Sequence, residues 1–159
     1  MSNEAAGSEI DKDLTERRLR KIENAISSLG DFVEKKVLVA SAVSLSTGVA
    51  GNVASILLGP GFWHVSGVVS YHNDPTTVMA DVTQSISVTS ATVGDAGSFT
   101  ADLVGLASGI DCAYNTPLVS INLTVPTTVY LVAKSNFATS TASVYGYIHA
   151  HRAVPLSAI

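Results

Sequence analysis

The chain has 159 residues, 47% hydrophobic side chains and a formal net charge of −4, which leaves room for one domain of about 120 residues and an appendage. The acidic balance and the lack of a basic patch beyond residue 36 argue against nucleic-acid binding. No apolar run approaches the roughly 20 residues of a membrane span, and the acidic start does not resemble a signal peptide. We therefore expect that the chain folds in a cytoplasm and does not insert into a membrane. The lone Cys112 is expected to be a small buried thiol.

Charge is distributed unevenly along the chain. Of the 22 Asp, Glu, Lys and Arg residues, 15 lie in residues 1–36 and only seven in residues 37–159. This predicts a charged stem followed by a separate domain rich in Val, Ser, Thr, Ala and Gly. A monomeric surface usually carries more charge than seven residues over this length, so we expect copies of the same chain to cover part of that domain.

Residues 1–12 show no hydrophobic periodicity, and such segments are ordinarily disordered unless something holds them. We expect this segment to be an anchoring peptide that docks on a partner surface.

Residues 13–36 are predicted to form a helical coiled-coil stem. Apolar residues recur at spacings of three and four, which places them at heptad positions a and d: Leu19, Ile22, Ile26, Leu29 and Val33. The alternative is a simple amphipathic helix that packs on its own domain. Arg18 and Glu23 flank the first two seam positions in an Arg-apolar-x-x-apolar-Glu arrangement that resembles short three-stranded parallel coiled coils. We therefore place all seven residues in a trimer interface.

Residues 37–159 are predicted to form a head domain of about seven or eight strands, because hydrophobic and polar residues alternate with period two. The predicted strands are 37–45, 62–72, 78–89, 98–104, 119–125, 127–134 and 143–152. On the third of these, the expected core positions are Val78, Ala80, Val82, Ile86 and Val88. Regular spacing without intervening helices indicates a mainly β fold, an antiparallel β-sandwich or jelly roll.

The last two strands are predicted to form a hairpin closed by the polar loop 135–142. Folding it about that loop sets Tyr130 and Val132 beside Tyr147 and Tyr145. On the final strand the inward set is Val144, Gly146, Ile148 and Ala150. The opposite face is aromatic, and aromatic rings with polar tips suit an interface. We expect a subunit contact around a threefold axis; the alternative is a loop that folds back over the sheet.

Few residues of this sequence are candidates for metal binding or catalysis. His149 and His151 point to one side of the last strand and are the best metal-ligand candidates, although ordinary interface histidines are favoured over a metal site. His64 and His72 alternate with buried positions and are expected at the surface. The acidic residues after residue 36 fall on separate loops or faces, and no catalytic motif is present. We expect no enzyme activity, polysaccharide hydrolysis included, and no cofactor.

Two stretches resemble a known family. Residues 56–67, with an apolar strand, Pro60-Gly61 and Trp63, resemble the strand entry of small trimeric heads of tailed-bacteriophage virion proteins. Residues 127–133 and 143–148, with Arg152 after them, resemble the closing hairpin of those heads. Some heads of this kind are similar to C1q and tumour-necrosis-factor trimers, in which a tyrosine-bearing sheet face lines the shared axis.

The resemblance implies a structural virion protein, assembled in the host cytoplasm. In this interpretation the chain forms a homotrimeric head fibre or decoration spike, residues 1–12 anchor it to the capsid or another virion protein, and residues 37–159 form a jelly-roll head. The alternative is a receptor-binding tail fibre tip or an adhesin that binds host surface glycan.

Overall fold

The computed structural model describes residues 13–23, 30–106 and 109–153. The predicted anchoring peptide of residues 1–12 and the seam residues Ile26 and Leu29 lie outside these ranges. Residues 13–23 form helix α1, on which Arg17 pairs with Asp13, one turn away, at 2.9 Å. In the described part of the chain, no helix has both the length and the apolar character that crossing a membrane requires.

The rest of the described chain is almost entirely β-structure, apart from one 3-10 turn at Val39–Ser41. The strands are β1 (Phe32–Val37), β2 (Val43–Ser44), β3 (Gly51–Leu58), β4 (Gly61–Asn73), β5 (Val78–Ser87), β6 (Phe99–Leu106), β7 (Cys112–Asn115), β8 (Val119–Leu123), β9 (Thr127–Ala138) and β10 (Ala142–Ala153).

These strands form two antiparallel sheets. Sheet I has the order β1-β10-β4-β7, with β2 also beside β10 and β8 also beside β4. Sheet II has the order β3-β9-β5-β6. Neighbours in each sheet are mostly distant in sequence, so the chain crosses repeatedly between the sheets, as in a jelly roll. The predicted antiparallel β-sandwich is confirmed, whereas the helix observed in the described residues is too short to show a coiled-coil stem.

The core lies between the sheets because alternate residues of each strand point inward. On β4 the alternate residues Trp63, Val65, Val69 and Tyr71 are buried, and Leu131 of sheet II packs in the same cluster. The inward residues predicted for β10 are buried as well. A hydrogen bond also crosses the core: the Tyr71 hydroxyl donates it to the Thr83 carbonyl of sheet II at 2.8 Å.

The predicted stem is wrong at its end, because residues 32–37 form strand β1 instead of helix. Val33 was expected at a heptad a position, but it pairs with Ala150 of β10 and packs against the core. The spacing of four between Leu29 and Val33 explains the error, since a spacing of four fits one face of a helix and also one face of a strand. Pairing with β10 satisfies the backbone groups and selects the strand.

The core positions predicted for β5 are partly wrong. A register shift between Met79 and Asp81 moves the alternation by one residue. Met79 is therefore fully buried while Val78 is exposed, and Val82 and Ile86 keep their predicted inward positions. Bulges of this kind leave no clear trace in a hydrophobic pattern.

The predicted hairpin of the last two strands is also wrong. β9 pairs with β3 and β5 in sheet II, whereas β10 pairs with β1 and β4 in sheet I. The connection at residues 139–141 therefore arches from one sheet to the other. Tyr130 lies opposite Ser55 and Ser87 in sheet II, far from the strand partners of Tyr147.

Val132 does not line an outer surface, because the loop at residues 88–98 covers it. Val132 is fully buried and lies between Asn52 and Ser85 in register. Both neighbours hold the loop: the Asn52 amide donates to Ser90 Oγ at 2.7 Å, and Gly94 N–H donates to Ser85 Oγ at 2.9 Å. At Val132, the alternative of a loop folding back over the sheet is therefore the one that the structure adopts.

Candidate interaction face

The outer side of sheet I carries a group of rings that we call the aromatic face. The alternation on β10 that buries Val144 and Ile148 turns every second side chain outward, and β1 and β4 flank it with their own outward residues. The aromatic face consists of Phe32, His64, Tyr145, Tyr147, His149 and His151.

The rings of this face contact one another along and across the strands. On β10, Tyr147 and His149 stack with ring centroids 5.7 Å apart, and His149 and His151 meet edge to face at 5.7 Å. Phe32 of β1 lies 4.8 Å from the His151 ring centroid. These contacts join Phe32, Tyr147, His149 and His151 into one continuous surface.

Polar groups at the margins orient the rings. Ser66 Oγ and His149 Nε2 are 3.0 Å apart, and His64 Nδ1 lies 2.9 Å from Ser120 Oγ. On β1, Lys36 Nζ lies 5.6 Å from the centre of the Tyr147 ring, a cation–π contact. Lys36 also pairs with Glu34 at 3.9 Å, so the charges that border the face are balanced.

The predicted interface residues fall into separate groups in this structure. Tyr145 and Tyr147 lie on the aromatic face, as the alternation predicted. Tyr130 lies on the outer side of sheet II, and Val132 is buried, so neither can share a surface with them. Arg18, Leu19, Ile22 and Glu23 lie on α1, where both apolar side chains are exposed.

Phe32 was missed because residues 32–36 were assigned to the helix. The signal was present in the alternation of Phe32, Glu34 and Lys36 with Val33 and Val37. Extending the strand pattern backward across Val37 would have placed Phe32 outward.

Within one chain, the described histidines are not grouped with further potential metal ligands. Within residues 13–23, 30–106 and 109–153, no group of three or more His, Cys, Asp or Glu side chains could hold a metal ion. His149 and His151 contact rings and a serine hydroxyl instead. His64 and His72 lie on the outer side of β4, as expected.

A polar cleft of about 530 Å³ lies at the opposite end of the sandwich from Phe32. His72 Nδ1 and Asp111 Oδ2 are 2.8 Å apart across it, and the Asn73 N–H donates to Asp111 Oδ1 at 3.0 Å. Burial raises the pKa of Asp111, but the hydrogen bonds from His72 and Asn73 outweigh it, so this pKa is lower than usual. Asp111 is therefore ionised at neutral pH and acts as an acceptor. Asp74, Ser44 and Ser143 add further acceptors and hydroxyl groups to the lining.

Cys112 is half-buried beside this cleft and packs against the core, close to the small buried thiol that was expected. Burial and the neighbouring Asp111 carboxylate raise the pKa of its thiol. A thiol of this kind is a poor nucleophile at neutral pH.

Comparisons with known proteins give only remote likenesses. No protein-family profile matches the sequence, and no curated protein matches it. Among solved structures, the VP2 subviral particle of infectious bursal disease virus has a TM-score of 0.45 at 16% identity over 76% of this chain and 32% of that chain. The Eiger TNF of S. frugiperda has a TM-score of 0.47 at 12% identity, over 79% of this chain and 94% of that chain.

A third solved structure is the CBM36-1 domain of a multidomain xylanase from the hindgut metagenome of Trinervitermes trinervoides. Its TM-score is 0.38 at 16% identity, over 77% of this chain and 100% of that chain. The chain spans about a third of the length of the viral chains that it matches. Similarity this remote carries no functional argument, and the fold follows from the sheet order alone.

Proposed function

We propose that this chain is a structural virion protein that assembles as a homotrimer through the aromatic face of sheet I. In this proposal it forms a head fibre or decoration spike of a phage particle, and residues 1–12 attach it to the capsid. The observation that carries the proposal is the aromatic face itself, where aromatic and histidine rings contact one another on a domain with few charged residues.

The composition of this face suits an interface between protein chains. Tyr and His rings bury a large apolar area and keep polar tips that reach water or a partner at the margin. Charged residues are depleted at interface centres, and the nearest charges, Glu34 and Lys36, lie on edge strand β1 and pair with each other.

Three copies around an axis would also give α1 a partner surface. Leu19 and Ile22 are exposed on α1, and a helix of this length is marginal in water when it stands alone. Helices held side by side by the heads would bury these residues in a shared seam. The virion role itself is supported by the sequence resemblance to phage spike heads at residues 56–67.

The proposal is tested by the mass of the purified protein in solution. We expect the wild-type chain to sediment as three copies at micromolar concentration. Tyr147→Glu would bury unpaired carboxylates and should weaken assembly at least a hundredfold. Tyr130→Glu is the matched control, because Tyr130 lies on the outer side of the other sheet. A single-chain mass for the wild type, or equal effects of the two substitutions, would contradict the proposed contact.

The place in the particle is tested separately. Electron microscopy of particles that lack this protein should show the loss of a head appendage. Loss of a tail appendage would instead favour the receptor-binding alternative.

The polar cleft favours a second candidate, an adhesin that binds host glycan. Its carboxylates and hydroxyl groups could accept and donate hydrogen bonds to sugar hydroxyls, and it lies at the end of the sandwich away from Phe32. Adsorption of purified protein to host cells, lost on Asp111→Ala, would support this role. A decoration protein without an adhesive role would show no adsorption.

A further inference from the structure

Three histidines of the aromatic face lie close together. His149 and His151 contact each other on β10, with ring centroids 5.7 Å apart. His64 of β4 is directly opposite His151 in register. Phe32 of β1 packs on the other side of His151, with ring centroids 4.8 Å apart.

The charges that surround these histidines cannot neutralise three added protons. Glu34 is opposite His149 in register, but it already pairs with Lys36 at 3.9 Å. Arg152 turns to the rim beside Trp63 and pairs with Asp31 at 3.1 Å. From β4 and β8, the groups that contact these histidines are neutral: the Ser66 hydroxyl lies beside His149, and the Ser120 hydroxyl lies beside His64. His72 is farther along β4 and pairs with Asp111.

We propose that protonation of His64, His149 and His151 separates the assembled chains, so that self-association is lost in mildly acidic conditions. This inference rests on the proposed function, since it needs the aromatic face to be the contact. Histidine is the side chain that most readily gains a charge in mildly acidic solution. Burial between chains favours the neutral ring, and three copies bring like charges together, so protons bind preferentially to the separated chains.

The direction of the pH dependence of association follows from this preference. Association is at full strength above the pH at which the separated chains take up protons, and it weakens as the pH falls below it. Each histidine that must stay neutral in the assembly lowers the association constant about tenfold per chain for each pH unit by which the pH falls further. Three such histidines together weaken association about a thousandfold per chain for each further pH unit.

The experiment is sedimentation velocity of the full chain at pH 7.5, 6.5 and 5.5, with far-ultraviolet circular dichroism at each pH as a test of folding. We expect three-chain particles at pH 7.5, folded single chains at pH 5.5, and recovery when the pH is raised again. The triple variant His64→Gln/His149→Gln/His151→Gln should stay assembled at pH 5.5. His72→Gln is the matched control and should dissociate as the wild type does. Potentiometry should detect uptake of more than one proton per chain on dissociation.

The possible failures are distinguishable. A wild-type trimer that persists at pH 5.5 overturns the switch and leaves the proposed function standing. A single chain at pH 7.5 overturns the proposed function. Dissociation accompanied by unfolding, or dissociation of the triple variant at pH 5.5, assigns the pH effect to other groups and overturns the inference. If the triple variant does not assemble at pH 7.5, the proton uptake of the wild type decides, and uptake of one proton or fewer per chain overturns it.

Discussion

Gly146 lies where β10 passes closest to β4. Its φ of +150° is a backbone conformation that L side chains rarely adopt, and a Cβ there would overlap the Val68 carbonyl oxygen of β4. Gly67 makes a similar close approach possible on β4, where the Leu131 side chain of sheet II fills the adjacent space. Gly146 therefore allows β10 and β4 to lie close together within sheet I, and Gly67 leaves room both for β10 and for Leu131 of sheet II.

Gly146→Ala should destabilise the fold by about 3 kcal/mol or more, because it adds both backbone strain and an overlap with Val68. Chemical unfolding in urea measures this change. Gly59→Ala is the control: a Cβ at Gly59 meets nothing within 4 Å, so its stability should change by less than about 0.5 kcal/mol. Equal effects of the two substitutions would mean that the close approach is unimportant.

Cys112 should react slowly with iodoacetamide near pH 8, because burial and the Asp111 carboxylate raise the pKa of its thiol and leave little thiolate. The rate should rise only at higher pH, with a midpoint above the ordinary value of ~8.5. Asp111→Asn should lower that midpoint by removing the neighbouring negative charge. If the substitution accelerated the reaction equally at every pH, it would have increased access to the thiol without changing its ionisation.

At the level of elements, the strand faces could be predicted from sequence, but strand partners could not. The inward and outward sets of β4 and β10 follow from alternation alone, which placed Tyr145 and Tyr147 outward correctly. The same alternation is satisfied whether β9 and β10 pair as a hairpin or face each other across a core. Long-range pairing with β1 and β4 decides between these arrangements, and no local pattern encodes it. Tyr130 was misplaced for this reason.

The loop at residues 88–98 is an element that depends on a few hydrogen bonds. Asn52 Nδ2 donates to Ser90 Oγ, and Ala91 N–H donates to Asn52 Oδ1, both at 2.7 Å. The loop covers Val132, so its release would expose an apolar part of sheet II.

Asn52→Ala should lower the stability of this loop by about 1–2 kcal/mol, because two hydrogen bonds are lost. Amide hydrogen exchange of residues 88–98 should accelerate while the strands of sheet I remain protected. Ser55→Ala is the control, since Ser55 is exposed on the same strand and the same face. Faster exchange throughout both sheets would show that the substitution acts on the whole fold.

At the level of the whole molecule, charge distribution was an informative predictor. It separated a charged segment from a weakly charged head, although the boundary was placed too late because β1 retains Glu34, Lys35 and Lys36. The histidine cluster could not be foreseen in full. His64 is 85 residues from His149 in sequence, and only the pairing of β4 with β10 brings their strands together.

If three chains assemble, the thermal midpoint should rise with protein concentration, because unfolding then releases separate chains. Scanning calorimetry over a tenfold range of concentration measures the rise. The Tyr147→Glu protein should have a midpoint that is independent of concentration. A constant midpoint for both proteins would contradict a folded assembly that dissociates as it unfolds.

The antiparallel pairing of β1 with β10 sets Phe32 opposite His151, so the described chain enters and leaves the sandwich at the same end. The arch at residues 139–141 and the turn at residues 74–77 lie at the other end, where Asn73 is opposite Ala142. A cargo fused directly after β10 would therefore start next to the beginning of β1. A peptide meant for outward display belongs in the arch.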